Sequence, residues 1–163
     1  MPTLKPDKMV ADVTSITLPF LRDKGIKALL LDIDGTLMPT KASQPTSDVF
    51  AWIDVMKSGG IKLFILSNSR RGWRVKELGG RIEAPFLHLS RKPFKGGYLK
   101  ALAALGLPPE SAAMVGDQIF TDILGANRCG IYSILVRSTD TDLWYHPLRR
   151  LAEKPFMKEG GKG

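Results

Sequence analysis

The chain has one cysteine, Cys129, among 163 residues. A single thiol excludes an intramolecular disulfide and suits a reducing compartment. Its flanks, Asn127-Arg128-Cys129-Gly130, read as a helix end, where the thiol serves as a small packed residue. No apolar run approaches the roughly 20 residues that a helix needs to cross a bilayer. The start, Met1-Pro2-Thr3-Leu4-Lys5-Pro6-Asp7, carries no apolar leader, which predicts a cytoplasmic location. Internal repeats and long linkers are missing as well, so one domain with a full core is expected. Acidic residues are scarce in one stretch. Residues 57–100 carry eleven basic and two acidic groups, more than the whole chain's net charge of +8. Such a field attracts phosphate-bearing partners, either an anionic lipid surface or nucleic acid. A merely solvated basic face is the plain alternative.

Against these absences stands the stretch Leu29-Leu30-Leu31-Asp32-Ile33-Asp34-Gly35-Thr36-Leu37. The apolar run from Ala28 reads as a buried strand of a parallel sheet. Gly35 lets the backbone turn sharply after it. Asp32 and Asp34 therefore fall at the carboxyl end of a strand, where open α/β sheets bind ligands. Two close carboxylates repel one another, and a hard divalent cation, Mg²⁺, is the simplest neutraliser. A strand followed by an acidic turn is the bland alternative. A calcium loop is excluded, because Leu37 stands where it needs glycine and no bidentate glutamate follows at the right spacing.

The rest of the chain repeats the strand–helix alternation. Thr46 or Ser47 caps a helix through about Lys57, with Val49, Phe50, Ile53 and Met56 inward and Gly59-Gly60 as its stop. Strands are predicted at 61–66, 86–89, 112–116 and 132–136. Helices are predicted from Arg71 to Leu78, with Gly79-Gly80 as the stop, through Leu105, and from Thr121 to Arg128. Residues 1–27 read as an irregular lead-in packing on the domain, with a short helix near Val10 and Val13. Residues 141–163 read as a tail whose Gly-Lys-rich end is disordered. The fold class is α/β: a single Rossmann-like domain with a mainly parallel five-stranded sheet.

Polar residues close the first, second and fourth strands, and a lysine follows the third. Asp32 and Asp34 end the first and Ser67-Asn68 the second. Lys92 follows the third, and Asp117 ends the fourth with Thr121-Asp122 shortly after. A parallel sheet brings these ends to one edge. The set suits metal-assisted phosphoryl transfer. Asp32 is placed as the nucleophile. Asp32, Asp117 and the backbone carbonyl of Asp34 are the expected metal ligands. The Asp34 carboxyl is the expected acid and then base. Ser67 and Lys92 are assigned to the phosphate oxygens, and Thr36 and Asn68 are further substrate contacts. Asp122 is expected to orient Lys92 or a metal-bound water from behind. Arg70, Arg71 and Arg74 open a helix, where the dipole disfavours cations, so they ask for an anionic substrate or surface. His88 reads as a packed strand histidine in preference to a catalytic one.

Four ordered motifs carry a resemblance: Asp32-Ile33-Asp34-Gly35-Thr36-Leu37, Ser67-Asn68, Lys92-Pro93 and Gly116-Asp117-Gln118-Ile119-Phe120-Thr121-Asp122. They resemble the phosphatases of the haloacid-dehalogenase (HAD) superfamily over about residues 28–136. The last motif looks like the third subclass, which lacks large caps. Consistently, 24 residues separate Thr36 from Ile61, too few for a separate lid domain. The resemblance assigns residues 28–140 to a HAD-like catalytic domain. Leu4-Lys5-Pro6-Asp7, Lys24-Gly25-Ile26-Lys27 and Gly125-Ala126-Asn127-Arg128 are similar to the phosphatidylglycerophosphate phosphatase family. Gly35 and Ser69 depart from that family, which usually has asparagine at both. The resemblance implies a Mg²⁺-dependent phosphatase making phosphatidylglycerol, attached peripherally to the inner face of a membrane. The same chemistry on nucleic-acid ends, phosphoprotein or a small metabolite is the alternative. A basic binding module without catalysis is a third reading.

Overall fold

In the computed structural model the described residues are 3–140. The sequence-based reading of the tail falls outside them. β2 (Ala28–Leu31) lies near the middle of the sheet, and all four of its residues are buried. It pairs in parallel with β3 (Lys62–Leu66) on one side and β5 (Ala112–Gly116) on the other, with Leu30 level with Phe64 and Met114. β4 (Phe86–Leu87) extends the sheet beyond β3, and β6 (Tyr132–Val136) extends it beyond β5.

A sixth strand, β1 (Lys8–Val10), completes the order β1-β6-β5-β2-β3-β4. The sheet is thus six-stranded, not five-stranded, and part of the lead-in belongs to it. Asp7 anchors this edge. Its carboxylate accepts from the Ser133 backbone N–H at 2.9 Å, and its own N–H donates to the Ser133 carbonyl at 3.0 Å. The lead-in then makes a 3₁₀ turn (Val13–Ser15) and α1 (Leu18–Asp23), which Thr17 caps by accepting from the Phe20 N–H.

Alternation along β2 builds two cores. Leu29 and Leu31 face the apolar layer that includes Ile53 and Met56, whereas Ala28 and Leu30 face the layer that includes Tyr98, Leu102 and Ala126. Each fully buried leucine contributes about 1.5–3 kcal/mol. α2 (Ser47–Ser58) starts at Thr46, whose hydroxyl accepts from the Val49 N–H, and ends at Gly59, as its sequence predicts. α3 (Gly72–Ile82) instead runs straight through Gly79-Gly80 and ends at Glu83, whose φ is 53°. Gly79 is there for packing: a Cβ on it would lie 2.7 Å from the Phe86 ring. α4 (Lys95–Leu105) and α5 (Leu124–Cys129) cover the other face, and a π-helical turn (Ile119–Ile123) leads into α5.

Candidate active site

The ends of β2, β3 and β5, with the loop after β4, meet at one edge. There the Asp32 N–H donates to the Val115 carbonyl of β5 at 3.0 Å, which fixes the start of the turn. The Ile33 carbonyl then accepts from the N–H groups of Thr36 and Leu37 at 3.1 and 2.9 Å. Gly35 has a φ of +78°, and a Cβ on it would lie 2.2 Å from Asp117 Oδ2. The glycine therefore allows the turn and also leaves room for the second strand-end carboxylate.

Lys92 sits in the centre of the acidic cluster and is 5% exposed. Its ammonium reaches Asp32 Oδ1 at 2.9 Å, Asp122 Oδ1 at 2.7 Å and the Leu66 carbonyl at 2.8 Å. Three donors meet three acceptors, so the group is fully satisfied. Burial alone would lower its pKa, but Asp122 and Asp32 outweigh that and hold the ammonium charged. The opposite holds for Asp32. Burial raises its carboxyl to about 6, although Lys92 pulls the other way.

Asp117 and Asp122 complete the group. Thr36 Oγ1 lies 3.2 Å from Asp32 Oδ2 and 3.5 Å from Asp117 Oδ1, bridging the two strand ends. Asp122 Oδ2 accepts from the Gln118 N–H at 3.2 Å. Asp122 also fills the space that a side chain at Gly116 would take, since a Cβ there would lie 2.2 Å from its carboxyl. Oxygens of Asp32, Asp117 and Asp122 all fall within 4.8 Å of one another. Three buried carboxylates thus face one buried ammonium. That donor set fits a hard divalent cation, because oxygen ligands, carboxylates among them, are what such an ion takes.

Three expected residues have partners that the sequence does not show. The Asp34 carboxylate points away from the cluster, to an ion pair with Arg74. Arg74 is not one of an exposed trio: it is 4% exposed and also donates to the carbonyls of Pro39 and Ala42 at 3.2 and 2.9 Å. It ties the loop after β2 to α3. Burial pushes the Asp34 carboxyl up despite this guanidinium. Asn68 uses both ends of its amide on the loop that carries Lys92, donating to the Lys92 carbonyl at 3.0 Å and accepting from its N–H at 2.8 Å. It braces the backbone that carries the lysine.

Ser67 is buried at the end of β3, with its hydroxyl accepting from the Ser69 N–H at 3.0 Å. Arg70 and Arg71 are exposed. The His88 side chain packs on Gly72 at the start of α3.

Sequence reasoning missed Tyr98. Its hydroxyl donates to the carbonyls of Thr121 and Asp122, 3.0 and 3.2 Å away, and so supports the π-helical turn that delivers Asp122. Burial raises its pKa, so the hydroxyl keeps its proton. Its helical spacing with Ala101, Leu102 and Leu105 reads only as core, and no signal in the chain marks the polar end. Asp140 was also missed. It holds the loop after β2 from the far side through the Thr40 N–H and hydroxyl.

An open parallel sheet whose strand ends gather carboxylates around a lysine defines an α/β phosphoryl-transfer fold. Comparison with known proteins makes this specific. A family profile described as HAD-hydrolase-like matches residues 89–154. A probable phosphatase of Bacillus subtilis, YqeG, is 34% identical over 131 residues, covering 80% of this chain and 76% of that protein. The chain belongs to the haloacid-dehalogenase superfamily, among its phosphatases. The chloroplastic phosphatidylglycerophosphate phosphatase 1 of Chlamydomonas reinhardtii is 28% identical over 145 residues, covering 83% of this chain and 54% of that protein. The crystal structure of a HAD phosphatase from Thermococcus onnurineus shares the fold with a TM-score of 0.52 at 24% identity, over 63% of this chain and 51% of that one.

Proposed function

We propose that this phosphatase is Mg²⁺-dependent and hydrolyses a phosphate monoester through an aspartyl-phosphate on Asp32, and that its substrate is phosphatidylglycerophosphate. The observation that carries the chemistry is the gathering of three buried carboxylates, Asp32, Asp117 and Asp122, around one point beside Lys92. Asp32, Asp117 and the backbone carbonyl of Asp34 are the groups that would hold the ion, with Asp122 behind them. Bound Mg²⁺ supplies neutralisation of the repulsion between Asp32 and a phosphate dianion.

The residues divide the work in two steps. An Asp32 carboxylate oxygen attacks phosphorus, and the bond from phosphorus to the ester oxygen breaks. The Asp34 carboxyl gives its proton to the departing alkoxide. Asp34 then takes a proton from water as the water oxygen attacks the phosphorus, and the bond to Asp32 breaks. Alcohol and orthophosphate leave, and both side chains return to their starting protonation. Lys92 stabilises equatorial phosphate oxygens from a position already fixed by Asp122 and Asn68, so little reorganisation is needed. For Asp34 to reach the ester oxygen, its carboxyl must leave Arg74, a rotation of one short side chain.

Support for the lipid substrate is of a different kind. It comes from the likeness to the algal phosphatidylglycerophosphate phosphatase, from the basic stretch 57–100 and from the absence of a cap over the site among the described residues. Peripheral attachment to the inner face of a membrane suits such a substrate. Among the described residues no helix is long and apolar enough to cross a membrane.

One experiment tests both parts. Phosphate release is measured from phosphatidylglycerophosphate in mixed micelles, from phosphorylated oligonucleotides and from a chromogenic phosphate ester, with Mg²⁺ or with chelator. The lipid should be turned over fastest, chelator should abolish all activity, and folded Asp32→Asn protein should lose turnover at least about 10⁴-fold. Full activity of Asp32→Asn sinks the aspartyl-phosphate mechanism. Preference for oligonucleotides sinks the lipid assignment alone.

A further inference from the structure

We infer that the rim of the active-site edge is an anionic-bilayer docking surface, in which Trp73 and Phe94 enter the headgroup layer. The inference deepens the lipid reading above and rests on it for its biological sense. Trp73 and Phe94 are 65% and 68% exposed, the highest values among the large exposed apolar side chains of the described residues. Single exposed apolar residues need no explanation. These two share a location that does. Trp73 lies in the first turn of α3 and Phe94 immediately precedes α4. Both helices begin where the chain leaves the carboxyl ends of adjacent strands β3 and β4, the edge that holds Lys92 and Asp32.

The two loops form one surface. The Leu89 N–H donates to the Ser69 carbonyl at 3.2 Å, joining the loop after β4 to the loop after β3. The His88 ring packs against Gly72, so closely that a Cβ there would lie 3.0 Å away. Leu89 and Arg91 have positive φ values of 49° and 58°, a conformation unfavourable for non-glycine residues. The resulting zigzag buries Ser90 and Lys92 while Leu89 and Arg91 face outward, with Leu89 49% exposed. One short loop thus sets the catalytic lysine and presents an apolar and a cationic side chain to solvent.

Charge identifies the occupant. Arg70, Arg91 and Lys95 are exposed among the apolar residues, and the whole stretch 57–100 is strongly basic. Tryptophan favours the interface between water and lipid, and basic residues near an anionic leaflet add electrostatic attraction. Separate apolar side chains with cations between them suit a bilayer, which closes around each one. A protein partner needs a continuous complementary patch. The site opening lies on the same edge, so docking brings a headgroup phosphate toward Lys92 without removing the lipid from the membrane.

The test is co-sedimentation of the full-length protein with vesicles of phosphatidylcholine alone or mixed with phosphatidylglycerol, in chelator so that binding does not report catalysis. Binding should require the anionic lipid and weaken with salt. Trp73→Ser and Phe94→Ser should each weaken it about tenfold, and the double variant about a hundredfold, as expected for losing partly inserted aromatic surface. Val55→Ser, which removes an exposed apolar residue from α2, should bind unchanged. Hydrolysis of a soluble ester by the double variant should stay within about twofold of the unaltered protein. No binding to either vesicle overturns the inference, as does equal loss of soluble-ester turnover in the double variant. Micellar lipid turnover with no vesicle binding leaves the substrate reading standing and the docking surface refuted. Vesicle binding with no turnover of any lipid phosphate does the reverse.

Discussion

Two ion pairs leave the turn after β2, and they differ in charge balance. Asp32 shares Lys92 with Asp122, and Asp117 lies within reach of the same group. Asp34 has Arg74 to itself, and the remaining guanidinium donors go to neutral carbonyls of the loop that follows β2. The first cluster is buried and gathers three carboxylates. The second is balanced. Buried carboxylates are costly unless cations offset them, which is why the proposed ion is placed with Asp32 and Asp117, and the proposed proton transfer with the Asp34 carboxyl. Two aspartates one residue apart thus have different roles because their partners come from different helices and loops.

The largest effect bearing on this contrast is expected at Asp34. Asp34→Asn should lower turnover of a poor leaving group about 10²–10⁴-fold, the usual worth of a general acid. The loss in the phosphorylation step should shrink for a good leaving group, which needs no proton, whereas the hydrolysis step should remain slow. Single-turnover phosphorylation of the two substrate types measures this. Equal loss on both would assign Asp34 to structure.

Next comes stability. Lys92→Met leaves the buried carboxylates without their ammonium, and urea unfolding in chelator should show a loss of about 3–5 kcal/mol. Mg²⁺ should restore part of it. Arg74→Met uncovers a half-buried carboxylate and frees two loop carbonyls, with an expected loss of about 1–3 kcal/mol that Mg²⁺ does not restore. If the ion rescues both variants alike, the two pairs are not the separate units described here.

The smallest effect is a pH dependence. Burial raises the Asp32 carboxyl to about 6 in the metal-free protein, above the ordinary carboxylate range. A raised carboxyl binds its proton more tightly in the folded state. The metal-free fold therefore gains stability as pH falls from above about 6 toward the ordinary carboxylate range. Metal needs the same group deprotonated. The difference in melting temperature between Mg²⁺ and chelator should narrow as pH falls through about 6. A constant difference would place the ion away from Asp32.

The strand-end residues were legible because their surroundings are local. Apolar runs such as Ala28–Leu31 carry a strand's signature, and a parallel sheet brings their ends together whatever the loops do. The partnerships were less legible because they are long-range. Arg74 reads as one of three cations at a helix start, and only the path of residues 39–42 over α3 makes it buried. Asp122 reads as a residue that orients Lys92 or a metal-bound water, and the π-helical turn, which the sequence does not show, brings it within 2.7 Å of Lys92. Gly79-Gly80 reads as a helix stop because glycine is poor in helices, but the closeness of Phe86 uses the missing side chain. β1 escaped notice because Lys8-Met9-Val10 is too short to show alternation. Its place is set by β6, 126 residues further on.

That last pairing has a consequence for synthesis. During translation the first strand of the sheet emerges well before β6, its one neighbour among the described residues, since Lys8 pairs with Ile134. At roughly 5–20 residues per second, β1 waits about 6–25 s for β6. Until then Met9 and Val10 have no sheet to join, and β6 in turn arrives with one edge already taken by β5 and the other open. The β1–β6 edge is thus completed late, after β2 and β3 can already have met, and a nascent chain stalled before residue 132 would hold its N-terminal strand free for another protein to bind.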